Sequence, residues 1–269
     1  MGATEVSSAD VIALLHHVGQ HVLVAGRPEA SASAHQKSPG EVVTAMDVAS
    51  ERALREGLAD IDPQGFVVGE ESAHADPTLL DGLAQHASVW IVDPLDGTGA
   101  YVRGDGPFGI MLARLHHGRA VQSWIHLPLT GETAHAVAGG GAWLEDARLQ
   151  LASVAHDPLR VALQTRFFPD DARARADAMD DVERTDRLHL CAAQRYVDLA
   201  RGVEDAAAFW RTLPWDHAPG DLLVREAGGV VARWDGSAFD PTDTETTSLL
   251  VARSPETWET VQRRLRGAS

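Results

Sequence analysis

The chain has 269 residues with 39 acidic against 23 basic side chains, a formal charge of −16 at pH 7, and 44% hydrophobic and 23% charged residues. Those proportions exclude collagen-like, disordered and coiled-coil classes, and the length fits one large domain or two small ones. The negative field repels nucleic acid and anionic membrane surfaces, so neither is expected as a partner. An anionic substrate would need that field reversed locally, and a bound divalent cation is the obvious device.

A single cysteine, Cys191, excludes an internal disulfide and fits a reducing compartment. The start of the chain shows no basic region followed by an apolar run, and no stretch reaches the roughly 18 apolar residues of a spanning helix. A cytoplasmic location is expected. Of the 23 basic residues all but Lys37 are arginines. A lone lysine retained in such a background points to a use for its compact ammonium.

Helical periodicity first appears from Val6 to Val24, followed by a loop from Gly26 to Gly40 and a second helix from Thr44 to about Leu58. Thr44 and Asp47 have the spacing of a capping box. Phe66 to Val68 and Val89 to Val92 read as strands, each ending in acid: Glu70-Glu71 and Asp93. Phe108 to Leu115, Val121 to Leu127, Glu132 to Ala138 and Arg148 to Val154 continue a mostly antiparallel sheet, with Gly139-Gly140-Gly141 as a turn. Past Asp157-Pro158 strands alternate with helices. Strands are expected at Arg160 to Leu163, about Leu188 to Leu190 and Ala206 to Trp210, and helices from about Asp170 and Gln194. A helix from about Asp216 to Ala227 stops at Gly228-Gly229, strands follow at Val230 to Trp234 and Ser248 to Ala252, and a last helix begins near Pro255. An N-terminal α+β part, residues 1–155, and a C-terminal α/β part, residues 156–269, are expected.

Glu70-Glu71, Asp93 with Asp96, and Asp216 lie where structured elements begin or end. Adjacent carboxylates repel unless a proton or a cation lies between them, and an all-oxygen set favours Mg²⁺ or Mn²⁺ over zinc. In Trp90-Ile91-Val92-Asp93-Pro94-Leu95-Asp96-Gly97-Thr98, Pro94 is expected to end the strand, leaving Asp93, Asp96 and the Leu95 carbonyl facing one point. A helix starting after Asp96 would aim the Gly97 and Thr98 amides at a phosphate there. Asp-Pro and Asp-Gly are also ordinary turn pairs. Read alone, Asp47 is a capping-box acid and Asp216 a helix N-cap.

Gly69-Glu70-Glu71-Ser72, Trp90 to Thr98, and Trp215-Asp216-His217-Ala218-Pro219-Gly220 through Glu226-Ala227-Gly228-Gly229 resemble the three signatures of the inositol monophosphatase family. The resemblance implies that family's layered αβαβα sandwich, a homodimer, and a phosphatase of a small phosphorylated metabolite. Inositol monophosphate is one such substrate; 3'-phosphoadenosine nucleotides and sugar bisphosphates are others in the family. It also implies two or three Mg²⁺ ions, with Mn²⁺ possible. Glu70, Asp93 and the Leu95 carbonyl would hold one, and Asp93, Asp96 and Asp216 another. Asp47 and Thr98 would orient the attacking water, Glu71 would tune the ligands from behind them, and Lys37 would sit on a loop near the metals.

The chain departs from the family where substrate is chosen. Leu190-Cys191-Ala192-Ala193 replaces a Gly-Ser-Ala-Ala-like segment, and Phe209-Trp210-Arg211-Thr212 stands where inositol phosphatases carry an acid that binds sugar hydroxyls. An arginine cannot accept a hydroxyl hydrogen bond but clamps phosphate or carboxylate, so Trp210 and Arg211 are the candidate substrate residues. Arg166 and Arg195 are expected at the surface, and His217 as a partly exposed neutral imidazole. His17 and His21 have metal-binding spacing but no third ligand. The haloacid dehalogenase class is disfavoured, because two residues separate Asp93 from Asp96 and no lysine lies downstream. A non-catalytic family member that binds metal or regulates is the alternative outside enzymes.

Overall fold

The computed structural model describes residues 6–38, 41–152, 154–185, 191–245 and 247–267. Helix α1 (Ser8–Val18) passes into a π-helical stretch over Gly19–Val24, so the first expected helix changes pitch at Gly19. The expected loop from Gly26 to Gly40 instead holds α2 (Ala30–Ser33) and β1 (His35–Ser38), which pairs antiparallel with β2 (Glu41–Val43). A wholly polar β1 and a three-residue β2 carry no apolar alternation to read. Helix α3 (Ala45–Ile61) starts from the expected capping box, with Asp47 Oδ2 accepting the Thr44 N–H at 2.7 Å.

Seven strands follow in one sheet: β3 (Phe66–Gly69), β4 (Ser88–Asp96), β5 (Gly109–His116), β6 (Arg119–Leu127), β7 (Glu132–Val137), β8 (Gly141–Leu144) and β9 (Ala147–Leu149). They lie in sequence order, and only β3 and β4 run parallel. Short helices α4 (Glu70–Ala75) and α5 (Gly82–Gln85) connect β3 to β4, and α6 (Thr98–Arg103) connects β4 to β5. Strand β8 begins inside the run of glycines read as a turn. Glu226 accepts the Gly139 and Gly141 N–H groups at 2.8 and 3.0 Å and so fixes that corner.

The second sheet has five strands in the order β11-β10-β12-β14-β13, from β10 (Leu159–Leu163), β11 (Val182–Arg184), β12 (Ala206–Trp210), β13 (Val230–Ala232) and β14 (Ser248–Ala252). Strand β10 runs parallel to β11 and β12, while β14 is antiparallel to both its neighbours. The helices are α7 (Asp170–Asp177), α8 (Ala192–Ala200), α9 (Pro214–Glu226) and α10 (Pro255–Arg266). The strand expected at Leu188 to Leu190 falls outside the described residues. Helix α9 ends as expected, with Gly228 at φ +95°.

Alternation along β4 explains the layering. Trp90 and Val92 face α1 and α3 together with Ile110, Leu112 and Trp124; Val89 and Ile91 face α8 and α9. Both faces are covered, so the strand reads as one unbroken apolar run. Helices α8 and α9 also cover Ala162, Ala207, Phe209, Leu249 and Val251 of the second sheet, whose outer residues Val161, Leu163, Ala206 and Leu250 pack under α7 and α10. The order is helices, sheet, helices, sheet, helices, the expected αβαβα sandwich. Each fully buried large apolar side chain in these layers contributes about 1.5–3 kcal/mol. No helix among the described residues is long and apolar enough to cross a membrane.

Candidate active site

Strand β4 does not stop at Pro94. It runs on to Asp96 through a bulge, where Asp93 pairs with Met111 and Asp96 with Gly109. Neighbouring β3 ends at Gly69, opposite Val92, so the missing Pro94 N–H leaves no partner wanting there. A bulge re-aims the side chains beside it. Asp93 Oδ1 accepts the Leu95 N–H at 3.0 Å, which pins the turn from inside.

Helix α3 supports both acidic segments from one face. Thr98 Oγ1 lies 3.0 Å from Asp47 Oδ1, Ser50 Oγ donates to the Pro94 carbonyl at 2.7 Å, and Glu51 accepts the Glu71 and Ser72 N–H groups at 2.7 and 3.1 Å. Asp47 therefore caps α3 and also holds Thr98. The buried Glu51 carboxylate occupies the N-terminus of α4 and thereby sets where Glu70 begins. A Cβ at Gly69 would sit 2.3 Å from Glu51 Cδ, which accounts for that glycine. Ser50 and Glu51 are the positioning residues the sequence reading missed. Their signal was the spacing: with Asp47, Leu54 and Leu58 they continue one buried stripe of α3.

Asp93, Asp96 and Asp216 bring one carboxylate oxygen each within 4.8 Å of one another, and they line a cleft of about 250 Å³ with Glu70, Leu95, Gly97 and Thr98. Asp216 reaches it from the first turn of α9, two residues after the start at Pro214 rather than at the N-cap. Asp93 is 1% exposed. Burial, then the charges of Glu70, Asp96 and Asp216, hold its carboxyl well above the usual range. Burial also raises Asp96, although the Ala193 N–H at 2.5 Å and the Cys191 thiol favour its ionised form. Asp47 is raised by burial against its bonds to Thr44 and Thr98. A cluster of carboxylates destabilised by one another is a set of hard oxygen donors in want of a cation.

Gly97, at φ +89°, precedes α6, and a Cβ there would meet Cys191 Cβ at 2.9 Å. Cys191 is buried with its thiol pushed up by burial and by Asp96, so it is no nucleophile. Glu71 lines another cavity, with Glu51, Arg55 and His74, and its charge acts on Asp47. The Lys37 side chain lies outside the described residues.

The substrate candidates separate. Arg211 lines the cleft with Arg166 and Phe167, whereas Trp210 turns to the outer layer, with its ring 5.2 Å from Trp234, and lines a different cavity with Arg233. Trp210 is the last residue of β12, whereas Arg211 stands just past it in a left-handed turn at φ +74°, which aims it elsewhere. Arg195 is no surface residue: it is 1% exposed and bonds Glu204 at 2.5 Å. His217 is buried, with burial lowering its pKa to about 3. Its Nδ1 lies 2.8 Å from the Tyr196 hydroxyl, and the ring also bonds the Arg211 carbonyl. His17 and His21 lie with ring centroids 4.8 Å apart and gain no third ligand among the described residues.

A layered α/β sandwich thus gathers carboxylates where β4, α4 and α9 meet, a set of oxygen donors suited to a hard divalent cation. The chain belongs to the inositol monophosphatase family, whose profile matches residues 3–267. It is 29% identical over 196 residues to a fructose-1,6-bisphosphatase/inositol-1-monophosphatase of Thermotoga maritima, covering 73% of each chain. It is 32% identical over 210 residues to the Nus factor SuhB of Escherichia coli, covering 76% of each. Among solved structures, the extragenic suppressor protein suhB of Bartonella henselae superposes with a TM-score of 0.81 at 22% identity, over 97% of this chain and 98% of that one.

Proposed function

We propose that the chain is a Mg²⁺-dependent phosphomonoesterase acting on a small phosphorylated metabolite by direct attack of water. The observation that carries this reading is the convergence of Asp93, Asp96 and Asp216 within 4.8 Å around a nearly inaccessible, charge-crowded Asp93. Glu70, Asp93 and the Leu95 carbonyl would hold one ion and Asp93, Asp96 and Asp216 another; Mn²⁺ suits the same donors, and two or three ions fit the family. Bound there, the cations offset phosphate charge and stabilise the leaving oxygen. Gly97 and Thr98, at the start of α6, line the same cleft and would bind the phosphate.

The Thr98 hydroxyl has one proton and two acceptors at 3.0 Å, Asp47 Oδ1 and the Leu95 carbonyl. Donating to Asp47 leaves its lone pairs for a proton of the attacking water, which is thereby oriented. By the family resemblance, Glu71 would tune the metal ligands and Lys37 would sit on a loop near the metals. The cytoplasmic homodimer rests on the family resemblance and the single cysteine.

The test is a panel of phosphate esters with millimolar Mg²⁺ or with chelator. Hydrolysis only with Mg²⁺ supports the reading, and no turnover of any ester contradicts it. The similarity to a protein named Nus factor raises a second reading, a family member that acts by binding. The complete carboxylate set weighs against it, and the same panel separates the two.

A further inference from the structure

The carboxylates share their cleft with two cations. Arg166, on a 3₁₀ turn over Thr165–Phe167, and Arg211, just after β12, place their guanidinium carbons 5.0 and 5.1 Å from the centre of the Phe167 ring. Phe167 is 39% exposed, so the ring and the two cations against it lie at the open side of the cleft. A guanidinium stacked on an aromatic face still directs its N–H fork outward along its own plane, the geometry that suits phosphate or carboxylate.

Arg211 is built into this place rather than drifting there. Its backbone stands at φ +74°, a region that non-glycine residues rarely occupy. Three bonds hold it: its N–H to the Thr247 carbonyl at 3.1 Å, the Leu213 N–H to its carbonyl at 3.2 Å, and the His217 ring to the same carbonyl. Such strain persists only where surrounding structure enforces it, and it clusters at functional sites. Without the turn, Arg211 would follow strand alternation away from Trp210 into the interior between the sheets, where Phe209 already packs.

On the phosphatase reading, we propose that Arg166 and Arg211 form a subsite for a second acidic group of the substrate. The preferred esters then carry a phosphate for the carboxylate and metal end of the cleft and a further phosphate or carboxylate for the arginines. A polyol monophosphate, neutral apart from its ester, is a poorer substrate. In a protein of charge −16 this pair is the local reversal of field that a second anion needs.

Matched ligands test this by calorimetry on the full chain, with Ca²⁺ in place of Mg²⁺: fructose 1,6-bisphosphate against fructose 1-phosphate, and 2-phosphoglycerate against glycerol 2-phosphate. The wild type should bind at least one doubly acidic ligand more tightly than its partner by ~10-fold or more, the scale of one charge-assisted bond. Arg211→Met and Arg166→Met should each remove most of that preference, and Arg211→Lys should restore only part of it. The pair that shows the preference identifies the second group as phosphate or carboxylate. Arg166, being exposed, decides the matter if Arg211→Met fails to fold. Equal binding of both members of each pair by the wild type overturns the proposal. So does equal weakening of both members in the variants, the result expected if the arginines only neutralise the cluster. An arginine-dependent preference in a chain that hydrolyses no ester would keep the subsite and remove the phosphatase.

Discussion

Asp93→Asn separates the stability of the site from its use. The carboxylate is buried beside Glu70, Asp96 and Asp216, with oxygens of the aspartates within 4.8 Å. At that distance and an effective dielectric of about 20, each pair of full charges repels by ~3 kcal/mol. Partial proton uptake already relieves some of this, so the neutral amide should stabilise the metal-free protein by ~1–3 kcal/mol. Asn also keeps an oxygen for the Leu95 N–H. For a chain of this length that is a rise in Tm of roughly 2–10 °C. Mg²⁺ acts in the opposite sense: at about 100 times its Kd it should stabilise the wild type by ~2.7 kcal/mol and the variant far less. Calorimetric scans with chelator and with Mg²⁺ read both effects. A variant less stable than wild type in chelator, with an undiminished Mg²⁺ shift, would refute the reasoning.

Thr98→Val removes the hydroxyl between Asp47 and the Leu95 carbonyl, so kcat should fall by ~10²-fold or more while the Mg²⁺ shift in Tm persists; an unchanged kcat would free Thr98 of its role. Glu51→Ala strips the acceptor from the Glu71 and Ser72 amides, costing ~1–3 kcal/mol in urea unfolding and weakening Mg²⁺ affinity through Glu70; unaltered affinity would confine Glu51 to stability. Burial lowers His126 to about 4, from an ordinary value of 6.5. Between those two values the unfolded chain takes up a proton that the folded one refuses, so this group's contribution to stability falls as pH drops from 6.5 to 4, by up to ~3 kcal/mol. In His126→Asn that part of the slope should vanish, as urea titrations at several pH values would show; an identical slope would count against a neutral buried imidazole.

Elements with strong period or strong punctuation were legible in the sequence: β12 and β14 have the expected bounds, and the Thr44 cap and the Gly228 stop fall where expected. The layer order came with the family resemblance rather than from the periodicity of any one strand. What escaped depends on contacts between distant segments. Ser50 and Glu51 look like interruptions of an apolar stripe until Pro94 and the α4 amides are placed against them. Pro94 reads as a strand end, yet its strand continues, because no neighbour beyond Gly69 needs its N–H. Trp210 and Arg211 look like one substrate pair, but the left-handed turn at Arg211 sends them to different cavities. Arg195 looks like a surface group and His217 like a partly exposed one, but Glu204 and Thr185 for the first and Tyr196 for the second supply the partners that permit burial.

The central claim is that the acids at the ends of β3 and β4 and in the first turn of α9 form one cation site. Anomalous scattering from a Mn²⁺-soaked crystal tests it most directly. The account predicts a peak within about 2–2.5 Å of carboxylate oxygens of Asp93, Asp96 and Asp216, with another beside Glu70 and the Leu95 carbonyl. Full soaking with no peak in that cleft, or a peak only elsewhere on the protein, would contradict it.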